Sequence, residues 1–314
     1  MVDVYAIGEM VIDMIPGSES ASYLRKAGGA PANVAIAVVK NGLKASMACK
    51  VGDDDFGHFL MDTLKEYHVV QAVPKLEKNA ITTLAFVTLK EDGERVFTFA
   101  RKPGADMMLS PDEVKEEDIE NAVIIHAGSC SLSAHPVKEA TEKALRLGHE
   151  KGKLVSFDVN YRNLMWNDDQ AACTKAVMDI LPYVDILKIS EEEVDMMGGE
   201  SNIGKLMKDN QIAMVIETLG SEGAQTFFNG SVIRIQGRKV KAVDATGAGD
   251  AFWGAFLSSL RIQGVEKSTD LTEEIIRKAM DYGNVSGCIC VQSKGAIASI
   301  PTRETIEAYL AENK

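Results

Sequence analysis

The segment VDATGAGDAF at residues 243–252 places two glycines, other small residues and two acids at the apparent start of a helix. The backbone N–H groups at a helix N-terminus have no partner within the helix, and the positive end of the helix dipole attracts anions. Only small residues let an anion approach that backbone closely. The segment therefore predicts a binding site for a phosphate-like anion.

Asp250 is an unexpected residue at such a site, because a bound phosphate repels a carboxylate. Its presence is explained if Asp250 is a general base that removes a proton from an attacking hydroxyl, while backbone amides stabilise charge on the transferring group. The alternative is that Asp250 caps the helix and complements its dipole. The segment alone leaves both interpretations open.

A second segment, AGGAPAN at residues 27–33, leads directly into a predicted helix at 32–39. Glycines permit close approach of the backbone to a ligand, Pro31 suits a helix start, and Asn33 offers a donor and an acceptor to a polyol. Asp13, just beyond the first predicted strand, could accept two sugar hydroxyls or face water in a loop. Each feature alone also fits ordinary turn chemistry.

Short apolar segments alternate along the chain with segments of helical period, which is typical of βαβ units and a mainly parallel sheet. Enough chain separates the strands for crossover helices such as 138–147. The predicted strands are 4–7, 46–51, 123–127, 154–157, 186–189 and 213–217. The sequence therefore predicts an α/β fold with a doubly wound, mainly parallel sheet.

Residues 81–89 and 95–100 break this alternation, because Glu91-Asp92-Gly93 joins two strand-like segments in the manner of a hairpin. The hairpin predicts a small antiparallel β lid over the carboxyl ends of the strands, and an edge hairpin without function is the alternative. The chain has no linker-like tract and no internal repeat. We predict one domain over residues 1–314, with the lid inserted at roughly 12–26 and 80–104.

The overall composition narrows the class of protein. The 314 residues include 34 Lys+Arg and 46 Asp+Glu, a formal net charge of −12, which argues against nucleic acid or an anionic membrane as a partner. The start of the chain does not resemble a signal peptide, and no stretch approaches the ~18 apolar residues of a membrane helix. Five cysteines without a C-x-x-C pattern indicate reduced thiols, so we expect a cytoplasmic protein.

Two motifs identify a family. GGAPAN at residues 28–33 matches Gly-Gly-x-x-x-Asn, and DATGAGD at 244–250 matches Asp-x-x-Gly-Ala-Gly-Asp. The chain resembles, over essentially its whole length, the PfkB (ribokinase-like) carbohydrate kinase family. Within that family, three stretches are most similar to fructokinases, namely 99–107, 126–132 and 158–162 with the following Trp166.

The resemblance implies an ATP-dependent kinase that transfers the γ-phosphate to a primary hydroxyl of a ketohexose, with fructose as the first choice. Related kinases that act on ribose, 2-keto-3-deoxygluconate, or a nucleoside or riboside share parts of the pattern and are the alternatives. A non-catalytic sensor of sugar or nucleotide is the alternative outside the enzymes.

The resemblance also assigns roles to residues. The implied catalytic residues are Asp250 as the base, the amides of Gly247, Ala248 and Gly249 as the anion hole, and Arg162 beside the transferring phosphate. The implied sugar-binding residues are Asp13, Gly28, Gly29, Asn33 and Arg101, the last on the lid. The residues implied to border ATP are Lys188, Thr218, Gly220, Gly223 and Asn284.

The same resemblance implies two metal ions, and the predicted lid adds an expectation about assembly. Mg²⁺ would accompany ATP, with Glu193 helping to organise it indirectly, although Ser190 stands where the family often has the Asn of an Asn-x-x-Glu motif. A monovalent-cation site, expected to take K⁺, matches Asp244, Thr246 and Ser299. An exposed strand edge on the lid favours pairing of two lids in a homodimer.

Overall fold

The computed structural model describes residues 1–19, 21–89 and 95–313, and gives the backbone alone for residues 89 and 95–97. The strands of the described part are β1 Val2–Ile7, β2 Val11–Pro16, β3 Tyr23–Gly28, β4 Ala45–Ala48, β5 Val70–Gln71, β6 Leu84–Leu89, β7 Arg95–Ala100, β8 Ala122–Gly128, β9 Leu154–Asp158, β10 Ile186–Ser190, β11 Met214–Thr218, β12 Gly223–Phe228 and β13 Ser231–Gln236. The α-helices are α1 Ala30–Lys40, α2 Asp55–Glu66, α3 Glu116–Glu120, α4 Val137–Glu150, α5 Gln170–Ile180, α6 Glu200–Asn210, α7 Ala248–Ile262, α8 Glu273–Cys290, α9 Ala296–Ser299 and α10 Arg303–Glu312.

The larger sheet has the strand order β13-β12-β11-β10-β9-β8-β1-β4-β5. Its strands from β11 to β5 pair in parallel, and β12 and β13 add an antiparallel edge. Because β1 lies between β4 and β8, the chain winds away from β1 in both directions. This order confirms the predicted doubly wound, mainly parallel sheet and puts a topological switch point beside β1.

Apolar residues cover both faces of this sheet. Along β1, Val4 and Ala6 face one core, which α1, α2, α7 and α8 complete, whereas Tyr5 and Ile7 face the core completed by α4, α5 and α6. Side chains of a strand point alternately to opposite faces, so a strand buried on both sides is apolar throughout. That rule explains why the parallel strands appear in the sequence as short continuous apolar runs.

The predicted strand at 46–51 differs from the structure, in which β4 ends at Ala48. The residues beyond it are also buried, but their backbone leaves the sheet and Gly52 donates its N–H to Thr82 Oγ1 at 3.0 Å. A buried loop and a buried strand have the same apolar pattern. The sequence therefore places the strand correctly and its end too late.

The smaller sheet has the order β3-β2-β6-β7. The pairs β2–β3 and β6–β7 are antiparallel, which confirms the predicted hairpin, and the central pair β2–β6 is parallel. The first hairpin strand begins at Leu84 rather than at residue 81, because Ile81 forms only an isolated bridge to Gly104. The predicted turn Glu91-Asp92-Gly93 lies outside the described residues.

Helices α1 and α7 pack against each other on one face of the larger sheet and begin side by side. Gly29 precedes α1 and Gly247 precedes α7, each with a positive φ, 115° and 77° respectively. The two glycine-containing motifs are therefore the two helix starts. None of the helices in the described ranges is long and apolar enough to cross a membrane.

Candidate active site

Asp250 lies in the first turn of α7 and is only 7% exposed. Its Oδ2 accepts a hydrogen bond of 2.7 Å from Asn33 Nδ2, which lies in the first turn of α1. Burial raises the pKa of Asp250, and the hydrogen bond from Asn33 partly offsets that rise. Among the described residues, the side-chain hydrogen bond of Asp250 is the one to Asn33, and none to the backbone of α7 is found. Its carboxylate is instead held by the neighbouring helix and stays available to a ligand.

The start of α7 is partly open to solvent at Gly247, Ala248 and Gly249. A Cβ on Gly247 would lie 2.6 Å from the Cβ of Ala296, so glycine alone fits there. Ala248 donates its backbone N–H to Ala245 O at 3.2 Å. The three residues predicted to form an anion hole therefore occupy one accessible helix start, at which the Ala248 amide is already partly engaged.

A buried ion pair stands beside this helix start. Lys188 Nζ, on β10, donates to both carboxylate oxygens of Asp158 at the end of β9, at 2.9 and 2.8 Å. The same Nζ lies 3.7 Å from the position that a Cβ on Gly249 would take. An ammonium group is thus held within reach of an anion bound at the start of α7.

Arg162 adds a second positive charge near Asp250. It is exposed at the start of the loop after β9 and donates from Nη1 to Tyr161 O at 3.2 Å. Its charge and that of Lys188 lower the pKa of Asp250, whereas the charge of Asp158 raises it. Burial has the largest influence, so the pKa of Asp250 is raised overall. The two cations reduce that rise, because they stabilise the ionised carboxylate.

The predicted sugar-binding residues of the first third of the chain lie around Asp250. Burial, followed by the charges of Asp250 and Asp244, raises the pKa of Asp13 to about 6. A Cβ on Gly28 would lie 2.4 Å from Asp13 Oδ2, and one on Gly29 would lie 2.4 Å from Glu9 O. The glycines therefore let two acidic residues approach the start of α1.

Arg101 is fixed in place by a buried acid. It follows β7, and its Nε and Nη2 both lie 2.8 Å from Asp106 Oδ2, while Nη1 donates to Ser133 Oγ at 3.3 Å. Asp106 also accepts a hydrogen bond from Thr83 and is 2% exposed. The end of the small sheet is thereby tied to loops at the carboxyl edge of the larger one.

The residues predicted to border ATP line the β10–β13 half of the same edge. Thr218 ends β11 and donates from Oγ1 to Ile189 O at 3.4 Å, and Asn284 of α8 donates to the carbonyls of Ile235 and Gln236 at 3.2 and 3.4 Å. Gly220 and Gly223 have positive φ angles of 53° and 99°. The sugar-side residues lie toward β1, so Asp250 stands between the two groups.

Glu193 is held by two backbone amides. Its oxygens accept hydrogen bonds from Tyr161 N at 2.6 Å and Ser190 N at 2.8 Å. Ser190 and Glu193 form a reciprocal capping box, so Ser190 has a local structural function at this position. The remaining lone pairs of Glu193 fit a contact to Mg²⁺ through water.

The residues predicted to bind a monovalent cation come together from two segments. Asp244 accepts from Thr246 N at 2.9 Å and from Gly295 N at 3.1 Å, and Ser299 Oγ donates to Gly295 O at 2.5 Å. Carboxylate, hydroxyl and carbonyl oxygens are hard donors that suit an alkali cation. In the part of the chain that the structure describes, no group of three or more His, Cys, Asp or Glu is arranged to hold a metal ion.

Three acidic residues of this region have no role in the sequence analysis, namely Glu9, Asp106 and Asp158. Asp106 and Asp158 lie within the fructokinase-like stretches 99–107 and 158–162, which is the signal that could have found them. Glu9 lies two residues after the last residue of the buried end of β1, where an acid is chemically conspicuous. The partner of Asp106, Arg101, lies five residues before it in the same stretch. The partners of Glu9 and Asp158 come from other segments, so the sequence does not show them.

The sequence model described as pfkB family carbohydrate kinase matches residues 1–303. "Probable fructokinase-2" of Arabidopsis thaliana is 40% identical over 318 aligned positions, which cover 95% of this chain and 93% of that protein. This degree of similarity over nearly full length confirms the predicted resemblance to fructokinases.

Two solved structures have the same architecture. A fructokinase from Xylella fastidiosa with bound ATP has a TM-score of 0.91 at 28% identity, covering 99% of this chain and 98% of that one. A double mutant of the Vibrio cholerae O395 fructokinase with fructose, ADP and potassium ion has a TM-score of 0.87 at 32% identity, with the same coverage. The family indicates a phosphotransferase that acts on a sugar hydroxyl. By its sequence match and its fold, this chain belongs to the pfkB family of carbohydrate kinases.

Proposed function

We propose that this protein transfers the γ-phosphate of ATP to a primary hydroxyl of fructose. The observation that carries the proposal is the buried Asp250 carboxylate, which Asn33 holds at 2.7 Å beside the open start of α7. A general base and an anion site are thereby adjacent. The fructokinase relatives, one of them 40% identical over nearly the whole chain, support fructose as the acceptor.

In this mechanism Asp250 accepts the proton of the sugar hydroxyl as its oxygen forms a bond to the γ-phosphorus and the bond to ADP breaks. The amides of Gly247, Ala248 and Gly249 and the positive end of α7 stabilise the charge on the transferring group. Lys188 and Arg162 place two cations against the same charge. Asn33 keeps the base oriented, and the low exposure of Asp250 excludes water that would compete with the sugar.

The sugar is proposed to contact Asp13, Gly28, Gly29 and Asn33, with Arg101 at the end of the small sheet. ATP is proposed to lie along Lys188, Thr218, Gly220, Gly223 and Asn284. Bound Mg²⁺ and K⁺ would add positive charge to the phosphate site. Glu193 would hold the Mg²⁺ shell through water, and Asp244, Thr246 and Ser299 would hold K⁺.

The test is a coupled assay of ADP release with Mg-ATP and K⁺, in which fructose, ribose, 2-keto-3-deoxygluconate and nucleosides are offered separately. We expect turnover with fructose, and a loss of ~10²–10⁴-fold in kcat for Asp250→Asn. Asp179→Asn is the matched control, because that carboxylate is 47% exposed on another helix. Turnover only with another acceptor would replace the substrate, and no turnover despite sugar binding would favour a sensor.

We also propose that the protein is a cytoplasmic homodimer of single domains, with the small sheet as lid and dimer contact. Outer strand β3 exposes Tyr23 and Leu24 by 45% and 58% beside an unpaired edge, and all five cysteines are free and buried, as expected in a reducing compartment. Leu24→Asp should convert a dimer into a monomer in light scattering. A monomeric wild type at micromolar concentration would exclude this contact.

A further inference from the structure

Glu9 follows β1 at the carboxyl edge of the larger sheet. Since β1 has β4 on one side and β8 on the other, Glu9 stands at the switch point of the sheet. In open α/β sheets, ligands bind in the crevice outside the strand ends at such a point. The side chain is 5% exposed, and none of the roles described above uses it.

The carboxylate of Glu9 is only half satisfied. Oε1 accepts a hydrogen bond of 3.1 Å from the N–H of Ala30, the first residue of α1. Oε2 is buried and has no hydrogen-bond partner among the residues that the structure describes. Native proteins rarely leave such an oxygen unpaired, because its loss of hydration is not compensated.

A second unpaired acceptor lies on the same turn of α1. Asn33 Oδ1 is buried and has no partner within the described chain, whereas its Nδ2 is bonded to Asp250. Ala30 and Asn33 both belong to the first turn of the helix, so the two free oxygens flank one helix start beside the base. Two free acceptors there are complementary to a ligand with several hydroxyl donors.

The charges around Glu9 show which groups are near it. Burial is the main cause that raises its pKa, to about 7, and the charges of Asp106 and Asp250 add to the rise. Cys130 lies just after the neighbouring strand β8. Burial is the main cause that raises the pKa of its thiol, the charge of Glu9 adds to the rise, and the charge of Arg101 opposes it. Both the catalytic base and the acid of the Arg101–Asp106 pair are therefore close enough to Glu9 to influence its pKa.

We propose that Glu9 is a substrate-binding residue whose Oε2 hydrogen-bonds a sugar hydroxyl other than the one that Asp250 deprotonates, while Oε1 holds the start of α1. This inference rests on the proposed sugar kinase function. It deepens that function by adding a contact on a second hydroxyl. The competing explanation is that Glu9 only caps α1.

A comparison of substrates with variants separates the two explanations. Wild type, Glu9→Gln and Glu9→Ala are assayed with fructose and with deoxyfructoses that each lack one hydroxyl. We expect Glu9→Ala to lower kcat/KM for fructose by about 10- to 100-fold, mostly through KM, since a hydrogen bond to a charged group is lost. For one deoxyfructose, wild type and Glu9→Ala should agree within about twofold, because the partner hydroxyl is already missing.

An equal loss for every analogue would overturn the proposal, because a capping role weakens all substrates alike. Glu9→Gln keeps an acceptor for Ala30 and replaces Oε2 by an NH2 group, which cannot accept a hydrogen bond from the hydroxyl, so it provides the comparison, with a smaller expected loss, if Glu9→Ala does not fold. Glu120→Ala removes a carboxylate that is 51% exposed and should change none of the ratios.

The failure of the proposed function has a different signature. A wild type without turnover on fructose would refute fructose as substrate, and the comparison is then made with the acceptor that is phosphorylated and its deoxy analogues. If no acceptor is phosphorylated, calorimetric affinities for fructose and the deoxyfructoses replace kcat/KM. In each case, one analogue for which Glu9→Ala and wild type agree supports a substrate contact of Glu9. If no analogue behaves in this way, Glu9 only caps α1.

Discussion

Replacement of Asn33 tests the central contact of the site. Asn33→Leu preserves approximate side-chain size and removes the 2.7 Å hydrogen bond to Asp250, which is buried. A hydrogen bond to a charged group contributes about 1.5–3 kcal/mol, which corresponds to about 10- to 150-fold in rate at 1.4 kcal/mol per tenfold. We therefore expect kcat/KM for fructose at neutral pH to fall by about that factor.

The pH profile distinguishes this effect from a general disturbance. The bond to Asn33 lowers the pKa of Asp250, because it stabilises the ionised carboxylate that acts as the base. Without the bond the pKa rises, so the fraction of ionised base falls at a given pH and the acid limb of kcat/KM moves to higher pH. Activity should accordingly be partly recovered as the pH is raised.

The assay is the coupled measurement of ADP release over a pH series, with thermal unfolding of each variant as a check of the fold. Asn210→Leu is the matched control, because it removes a partly buried amide at the end of α6, outside the site. An acid limb at the same pH in Asn33→Leu and wild type would refute the role assigned to this hydrogen bond.

Further predictions concern folding and ions. Asp158→Asn leaves Lys188 buried with a neutral partner and should lower the free energy of unfolding in urea by about 3–5 kcal/mol; a loss below about 1 kcal/mol would contradict the buried pair. Gly29→Ala should raise the KM for fructose and lower the Tm, because its Cβ would lie 2.4 Å from Glu9 O. Gly230→Ala is the control: at φ 77° with open space around it, backbone strain should lower its Tm and leave the KM unchanged. Replacement of K⁺ by Na⁺ should lower turnover, and equal rates in both salts would count against the monovalent-cation site.

The sequence predicted the elements of the fold better than their boundaries and pairings. Apolar runs identify the parallel strands because strands buried on both faces need such residues. They do not show where β4 ends at Ala48, since the loop after it is buried as well. The parallel pairing of β2 with β6 joins segments about 70 residues apart, and no local signal encodes it.

The sequence by itself determined the two helix starts and the chemistry available at them. Small residues at Gly28, Gly29, Gly247 and Gly249, followed by helical periodicity, are local features, and an anion site at a helix N-terminus needs no distant residue. A carboxylate at position 250 then left two interpretations, base or cap.

Which side chains these groups contact was decided only by the tertiary structure. Asn33 and Asp250 are 217 residues apart, and they share a hydrogen bond because α1 and α7 pack on the same face of the sheet. Lys188 meets Asp158 because β9 and β10 are neighbours, and Glu9 meets Ala30 because α1 begins beside the end of β1. Strand order and helix packing depend on the whole core, so the partners and burial of these groups are properties of the folded chain.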